Sequence, residues 1–374
     1  MIRSHRAPPG VALLLATAAW AALPASAVAW GGATHHYIAR NYSQHLPAEI
    51  DGLRAYDSVV DEKVTDPDTR KSYTPGESSR HYIDIDAYPE FLAGTLSHDR
   101  AALELEYGVY AVLNHGVLPW ATGEVVATLA QQFQARQWSQ AATTIADLCH
   151  YVGDATQPLH CTQNYDGQQS GNDGIHARYE SDMMALHLGE LHTAPATVAY
   201  YPNAVEAMFG IIAASWADVG TLTAADTQAQ SETQGQFDGN YYASLWFGTE
   251  SVTRERIDAA TLATASFVYT AWVNAGRPYV PGSSGGTPDV ATGVQLDVGP
   301  TPFRDALAVR FGGAGPLSVD VFDVRGMRVE RVVDRAPGGG SISWRPAQRI
   351  GSGVYFIRLS GPNRSLVRRV TRIR

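Results

Sequence analysis

Cysteine is almost missing from this chain: Cys149 and Cys161 are the only two in 374 residues. Two cysteines exclude the multi-bridge framework that holds small secreted domains together, although these two could close one short loop or stay as buried thiols. Long apolar runs are also scarce. The one near the start, "VALLLATAAWAAL", is too short to span a bilayer, so no transmembrane segment is expected. No repeat of solenoid period is found. Lysine is absent from residues 299–374, where 14 arginines face 5 acidic residues. Since the whole chain carries a net −9, residues 30–298 are strongly acidic. Such a body is a poor long-range attractor for polyanions but suits a site that gathers divalent cations.

The apolar run belongs to a leader. "MIRSHR" is a basic stretch before it, and "PASAVA" after it ends in a small-x-small pattern. Residues 1–29 therefore read as a signal peptide, with cleavage after Ala29 leaving Trp30 as the mature terminus and the protein exported. The remaining length and a hydrophobic content of 45% leave room for a large core and two domains. Residues 30–278 carry helical periodicity. "EYGVYAVLNHGVLPWATGEVVATLAQQFQARQWSQAATTIADLCHYVGD" predicts two helices broken near "LPWAT", and "TRERIDAATLATASFVYTAWVNAG" predicts a last long helix stopped by Gly276. "RPYVPGSSGGTPDVATG" is rich in Pro, Gly and Ser, so residues 279–298 read as a linker. Over 299–374 the period drops to two, with six short strand segments beginning at "ALAVRF" and ending at "SLVRRVTRI". The expected fold is mainly α, followed by a small all-β Ig-like sandwich.

The chemistry centres on "CHYVGDATQPLH". His150 and Asp154 are four apart and project from one helical face. Gly153 and Pro158 are expected to end the helix and send His160 around a turn. In "GIHARYESDMMALH", His176 and Glu180 repeat the spacing. One such pair is ordinary on a solvated helix. Two pairs with a histidine between them, HxxxD-x5-H-x15-HxxxE, point to a metal, because imidazole and carboxylate are what zinc takes. "RHYIDIDAY" adds His81 in an extended stretch, and "DPDTRK" adds Asp66 and Asp68 before it. At the mature terminus, "WGGATHHYIAR" offers the Trp30 amine, with an ordinary pKa of about 7.7–8.0, the Trp30 carbonyl, and His35 five residues on.

In this order the motifs resemble the zinc-dependent phospholipase C and S1/P1 nuclease superfamily: Trp30 and His35, Asp68 and His81, then H-x-x-G-D-x-x-Q-P-x-H and H-x-x-x-E. The resemblance covers roughly residues 30–275 and implies a phospholipase C/P1 nuclease-like helical domain holding three zinc ions. One would lie among Asp68, His81, His150 and Asp154. Its neighbour would take the Trp30 amine and carbonyl, His35 and, as a bridge, Asp154. The third would take His160, His176 and Glu180. Asp66 stands as an alternative to Asp68, and His36 to His35. The implied chemistry is hydrolysis of phosphodiesters by metal-activated water, with Asp68 and Asp154 as catalytic groups.

Substrate is divided within the superfamily. Glu180 as last ligand, the short gap from His160 to His176, and "GIHARYES" resemble the phospholipases, whereas "RHYIDID" resembles the nucleases. A phospholipid or other phosphodiester is the expected substrate, single-stranded nucleic acid the alternative, and a zinc-stabilised surface or adhesive protein the non-enzyme reading. The end of the chain, with "TPFRDALAVRF", "VFDVRGMRV" and "GVYFIRL", is similar to the T9SS-type C-terminal sorting domains of bacterial surface enzymes. That implies contact with secretion machinery and export through the periplasm to the cell surface or medium.

Overall fold

The computed structural model describes residues 30–285, 295–312, 316–361 and 365–373. The leader and its cleavage site after Ala29 lie outside the described residues, as does the middle of the 279–298 stretch.

The first part is helical. It runs α1 (Gly32–Asn41), α2 (Asp57–Lys63), α3 (Asp66–Arg70), α4 (Pro89–Ala93), α5 (Arg100–Tyr107), α6 (Val109–Asn114), α7 (Leu118–Gln134) and α8 (Trp138–Thr156). After these come α9 (Ile175–Ala177), a π-helical segment Arg178–Met183, α10 (Met184–His187), α11 (Ala204–Trp216), α12 (Val219–Glu232) and α13 (Gly239–Asn274). Three of the helix starts are capped by side chains. Asp99, Asn203 and Asp238 each accept first-turn amides of α5, α11 and α13, satisfying donors that a helix cannot satisfy itself.

At the centre lies α8, packed against α7, α13 and α2. From Leu148 through Thr162 every residue is buried. A helix buried on all sides has no solvated face, so polar side chains on it must find partners inside the protein. That removes the ordinary explanation for His150 and Asp154.

Several local details differ from the sequence expectation. Where the sequence predicts two helices over 106–154, the end of α5 is followed by α6, α7 and α8, with breaks at Gly108 and at residues 115–117 and 135–137. Helix α8 does not end at Gly153 but continues to Thr156, and Pro158 starts a 3-10 turn Pro158–Cys161. Gly153 is there for space: a Cβ on it would lie 2.9 Å from His35 Nδ1 and 3.1 Å from Ile38 Cδ1. His81 ends a 3-10 turn, Ser78–His81, before Tyr82 becomes extended. The Asp-Pro-Asp run is the start of α3, with Pro67 in its first turn, where proline's missing N–H costs nothing. Cys149 and Cys161 are separate buried thiols.

Among the described residues one stretch, Ala204–Glu232, is long and apolar enough to cross a membrane by length and composition. It is divided into α11 and α12 at residues 217–218, and its Asp226 is buried in an ion pair with Arg178.

The second part is all β. Strands β1 (Gln295–Val298), β2 (Leu307–Gly312) and β5 (Gly340–Trp344) form one antiparallel sheet in the order β1-β2-β5. Strands β3 (Leu317–Phe322), β4 (Arg328–Ala336), β6 (Gly353–Ser360) and β7 (Ser365–Arg372) form the other, in the order β4-β3-β6-β7. In β2 the burial alternates strictly, with Leu307, Val309 and Phe311 inward, as period two demands. Leu296, Val319, Ile357 and Trp344 complete a shared core. Strand β1 falls within the stretch that composition marks as linker. At the other end of that stretch, Val280 is buried in the helical core and Ser283 Oγ accepts from the Gly52 amide at 3.1 Å.

Candidate metal centre

Three sets of buried or half-buried donors converge: His35, His150 and Asp154; Asp68, His81 and His150; and His160, His176 and Glu180. Helix α8 supplies His150 and Asp154, α1 supplies His35, α3 supplies Asp68, and the Ser78–His81 turn supplies His81. The Asp154 oxygens divide their neighbours. Oδ1 lies 3.3 Å from His35 Nε2, while Oδ2 lies 2.9 Å from His81 Nδ1 and 3.5 Å from His150 Nε2. Asp68 Oδ1 is 3.5 Å from His150 Nε2 and 3.7 Å from His81 Nδ1. In the third set, Glu180 Oε2 is 3.0 Å from His176 Nε2 and 3.7 Å from His160 Nε2. The edge of a zinc tetrahedron with ligands at ~2.0–2.1 Å is ~3.3 Å, so these spacings are those of ligands around one ion.

The imidazoles are aimed from behind. His150 Nδ1 donates to the Val64 carbonyl at 2.8 Å, His160 Nδ1 to the His81 carbonyl at 2.7 Å, and His176 Nδ1 to the Tyr165 carbonyl at 2.9 Å. A carbonyl only accepts, so each of these rings carries its proton on Nδ1 and turns the Nε2 lone pair inward. Nε2 of His35, His160 and His176, both oxygens of Asp154, and Asp68 Oδ2 are buried without a hydrogen-bond partner. A cluster of lone pairs with no donor to satisfy them would be costly unless a cation takes them. This donor chemistry fits zinc.

Charge inside the site follows the same lines. Burial, with the neighbouring His150, pushes the His35 imidazole down to about 4, keeping it neutral and able to ligate. Burial would raise the Asp154 carboxyl, but the electrostatic pull of His150, with the His35 and His81 rings close by, holds it well below the usual range. Glu180 is likewise held down to about 2, against its burial, by His176 and His160. His150 and His176 are raised despite burial, through Asp154 and Glu180 respectively. Protons thus compete for the metal's places, and loading weakens as pH falls.

The other candidates from the sequence divide clearly. His36 points outward, its Nδ1 2.8 Å from Asp61 Oδ1, and Asp66 belongs to none of the three sets. Trp30 is fully buried against Tyr179, ring centroids 5.5 Å apart. The Gly31 amide donates to the Glu180 carbonyl at 3.2 Å, and a Cβ on Gly31 would lie 2.7 Å from Ser181 Oγ. Glycine lets the segment before α1 reach the helix that carries Glu180.

Two supporting residues were not among the candidate ligands, although Gln157 is a fixed position of the H-x-x-G-D-x-x-Q-P-x-H motif. Glu77 is buried, sits 3.7 Å from His81 Nε2, and accepts from Tyr151 and Arg70. Its spacing to His81, four residues, was the available signal. Gln157 donates to Glu180 Oε2 at 3.1 Å.

A cleft of about 640 Å³ opens onto the donors. Asp68, His81, His160 and His176 lie on its wall, together with Lys71, Tyr82, Asp84 and Tyr165. Lys71 Nζ is 2.7 Å from Asp68 Oδ1. Burial, then the nearby Asp86, raises the Asp84 carboxyl to about 7.

No protein-family model and no curated protein matches the chain. Among solved structures, it is similar to an alpha-toxin of Clostridium perfringens from avian strain SWCP, at 12% identity and a TM-score of 0.45, over 90% of this chain and 96% of that one. It is also similar to the alpha toxin of Clostridium absonum, at 11% identity and a TM-score of 0.36, over 90% and 97%. At such scores neither likeness bears on the chemistry.

Proposed function

We propose that this chain is an exported phosphodiester hydrolase of the phospholipase C type, built on three zinc ions. The observation that carries the reading is Asp154: fully buried, unpartnered at both oxygens, and set between His35 on one side and His81 with His150 on the other. One ion would be held by Asp68, His81, His150 and Asp154, a second by His35, Asp154 and the Trp30 amine and carbonyl, and the third by His160, His176 and Glu180. Zinc bound there would bring water to a pKa of about 7 and withdraw charge from phosphoryl oxygens. The protein does the rest. Asp68, on the cleft wall with Oδ2 unpartnered, accepts the proton of the attacking water. Lys71 beside it supplies positive charge to a non-bridging phosphate oxygen. His81, His160 and His176 lie on the cleft wall and would hold zinc where a phosphate entering the cleft can reach it. No side-chain nucleophile is needed.

Two features support catalysis over a purely structural metal. Structural zinc sites are closed by four protein ligands, whereas the third set has three and borders an open cleft. The phospholipid reading rests on Glu180 and on the short His160–His176 spacing. The nuclease reading keeps one observation of its own, that Tyr82 and Asp84 both line the cleft, where they would suit the face and edge of a base. The test is one assay of the mature, zinc-loaded protein on phosphatidylcholine vesicles and on single-stranded DNA. Release of headgroup phosphate from vesicles, abolished by chelation and restored by zinc, is expected. Turnover of DNA alone would move the assignment to the nucleases, and a protein that takes up no zinc would end it.

The C-terminal β module is proposed to serve export and sorting, on the strength of its sequence marks. Removing residues 299–374 is expected to hold the enzyme in the periplasm of a host with the matching machinery while leaving turnover intact. Normal secretion of the shortened chain would refute that role.

A further inference from the structure

A second buried polar cluster lies behind the third donor set. Asp226, on α12, is fully buried and accepts from Arg178 Nη2 at 3.0 and 3.2 Å, Asn172 Nδ2 at 2.7 Å, Gln230 Nε2 at 2.6 Å and the Tyr241 hydroxyl. Arg178 also donates to Tyr241 Oη at 2.8 Å, to the Asp173 carbonyl at 2.7 Å and to the Asn172 carbonyl at 3.1 Å, with the Phe237 ring centre 4.3 Å from its Cζ. None of these residues is a metal donor. Yet Arg178 stands two positions from His176 and two from Glu180, within the π-helical segment Arg178–Met183. Two residues along a helix is about half a turn, so it anchors the face opposite the two donors.

The carbonyls it holds belong to the loop that delivers His176. In that loop, Asp166 Oδ1 accepts from the His176 amide at 3.3 Å, and the Tyr165 carbonyl aims the His176 ring. Gly174 has φ +83°, and a Cβ on it would lie 2.7 Å from Arg178 Nη1, so the guanidinium occupies the space beside the turn. An arginine fork fixes several acceptors in one plane, which an ammonium cannot do. A buried pair of this kind adds little net stability over apolar packing, but it does set direction.

We propose that the Arg178–Asp226 pair is a positioning clamp for the third metal, holding His176 and Glu180 at ligand spacing while leaving the two sites around Asp154 untouched. The proposal rests on the zinc reading above. It is tested on the full mature chain by measuring bound zinc at controlled free zinc, with far-UV circular dichroism, for the wild type, His176→Ala, Asp226→Asn and Arg178→Lys. At a free zinc level that saturates the wild type, both clamp variants are expected to lose one equivalent, as His176→Ala does, with unchanged helical signal. Unlike His176→Ala, they should regain it when free zinc is raised about 10–100-fold, the usual cost of losing outer-shell support. Full occupancy of both variants at the wild-type level would overturn the clamp. So would loss of all zinc together with the helical signal, which would make the pair a general prop of the fold. A wild type that binds no zinc would bring down the metal reading itself, whereas a zinc-loaded wild type with indifferent clamp variants would bring down only this inference.

Discussion

Asp154→Asn is expected to lower turnover by roughly 10³-fold or more and to leave the protein short of zinc, with its fold kept. The amide has the carboxylate's shape, so packing inside α8 survives. What changes is the chemistry of one edge. Asp154 presents Oδ1 to His35 and Oδ2 to His81 and His150. An asparagine must turn an NH₂ toward one of those groups. That edge cannot ligate a cation, and the remaining oxygen is neutral. On the function proposed above Asp154 is shared by two metals, and losing such a ligand removes several kcal/mol of transition-state stabilisation; each ~1.4 kcal/mol is a factor of ten. Zinc content and turnover measured on one preparation decide the matter; normal values of both would remove Asp154 from the centre.

Gly153→Ala is expected to destabilise the protein by about 1–3 kcal/mol and to cut activity by 10–100-fold, on the order of lost outer-shell support. On helix propensity alone the sign would be opposite, since alanine gains about 1 kcal/mol over glycine inside a helix. Packing decides against it. The new methyl would lie 2.9 and 3.0 Å from two atoms of the His35 ring. That ring is fully buried and stacked on His150, centroids 3.9 Å apart, so it cannot give way without leaving Asp154. Thermal melting with and without zinc is the check. An alanine variant more stable than the parent, with full zinc content, would show that the contact is soft.

These two residues also show what the sequence disclosed and where it stopped. The four-residue spacings within His150–Asp154 and His176–Glu180 carried real geometry, because a helix puts such residues on one face whatever surrounds it. Glycine in the same motif was misread as a helix end, because its local meaning, flexibility, is indistinguishable in sequence from its tertiary meaning, room for a neighbour 118 residues away. Glu77 stands four residues before His81, the same spacing, but no second sequence signal accompanies it. The Arg178–Asp226 pair could not have been found, since nothing in one sequence says that residue 226 returns to residue 178. The β module was readable from its alternation, except β1, which is only four residues long and follows a stretch dominated by Pro, Gly and Ser.

The unpartnered lone pairs of the centre have a consequence beyond chemistry. The donors stretch from residue 35 to residue 180, and the unfolded chain cannot gather them. Whatever binds only the folded form raises its stability by mass action, by about 2.7 kcal/mol for each site at a free concentration a hundred times its dissociation constant. On the proposed zinc reading, the robustness of this protein is a property of its surroundings as much as of its sequence: it would set firm where zinc is plentiful and soften where the ion is scarce.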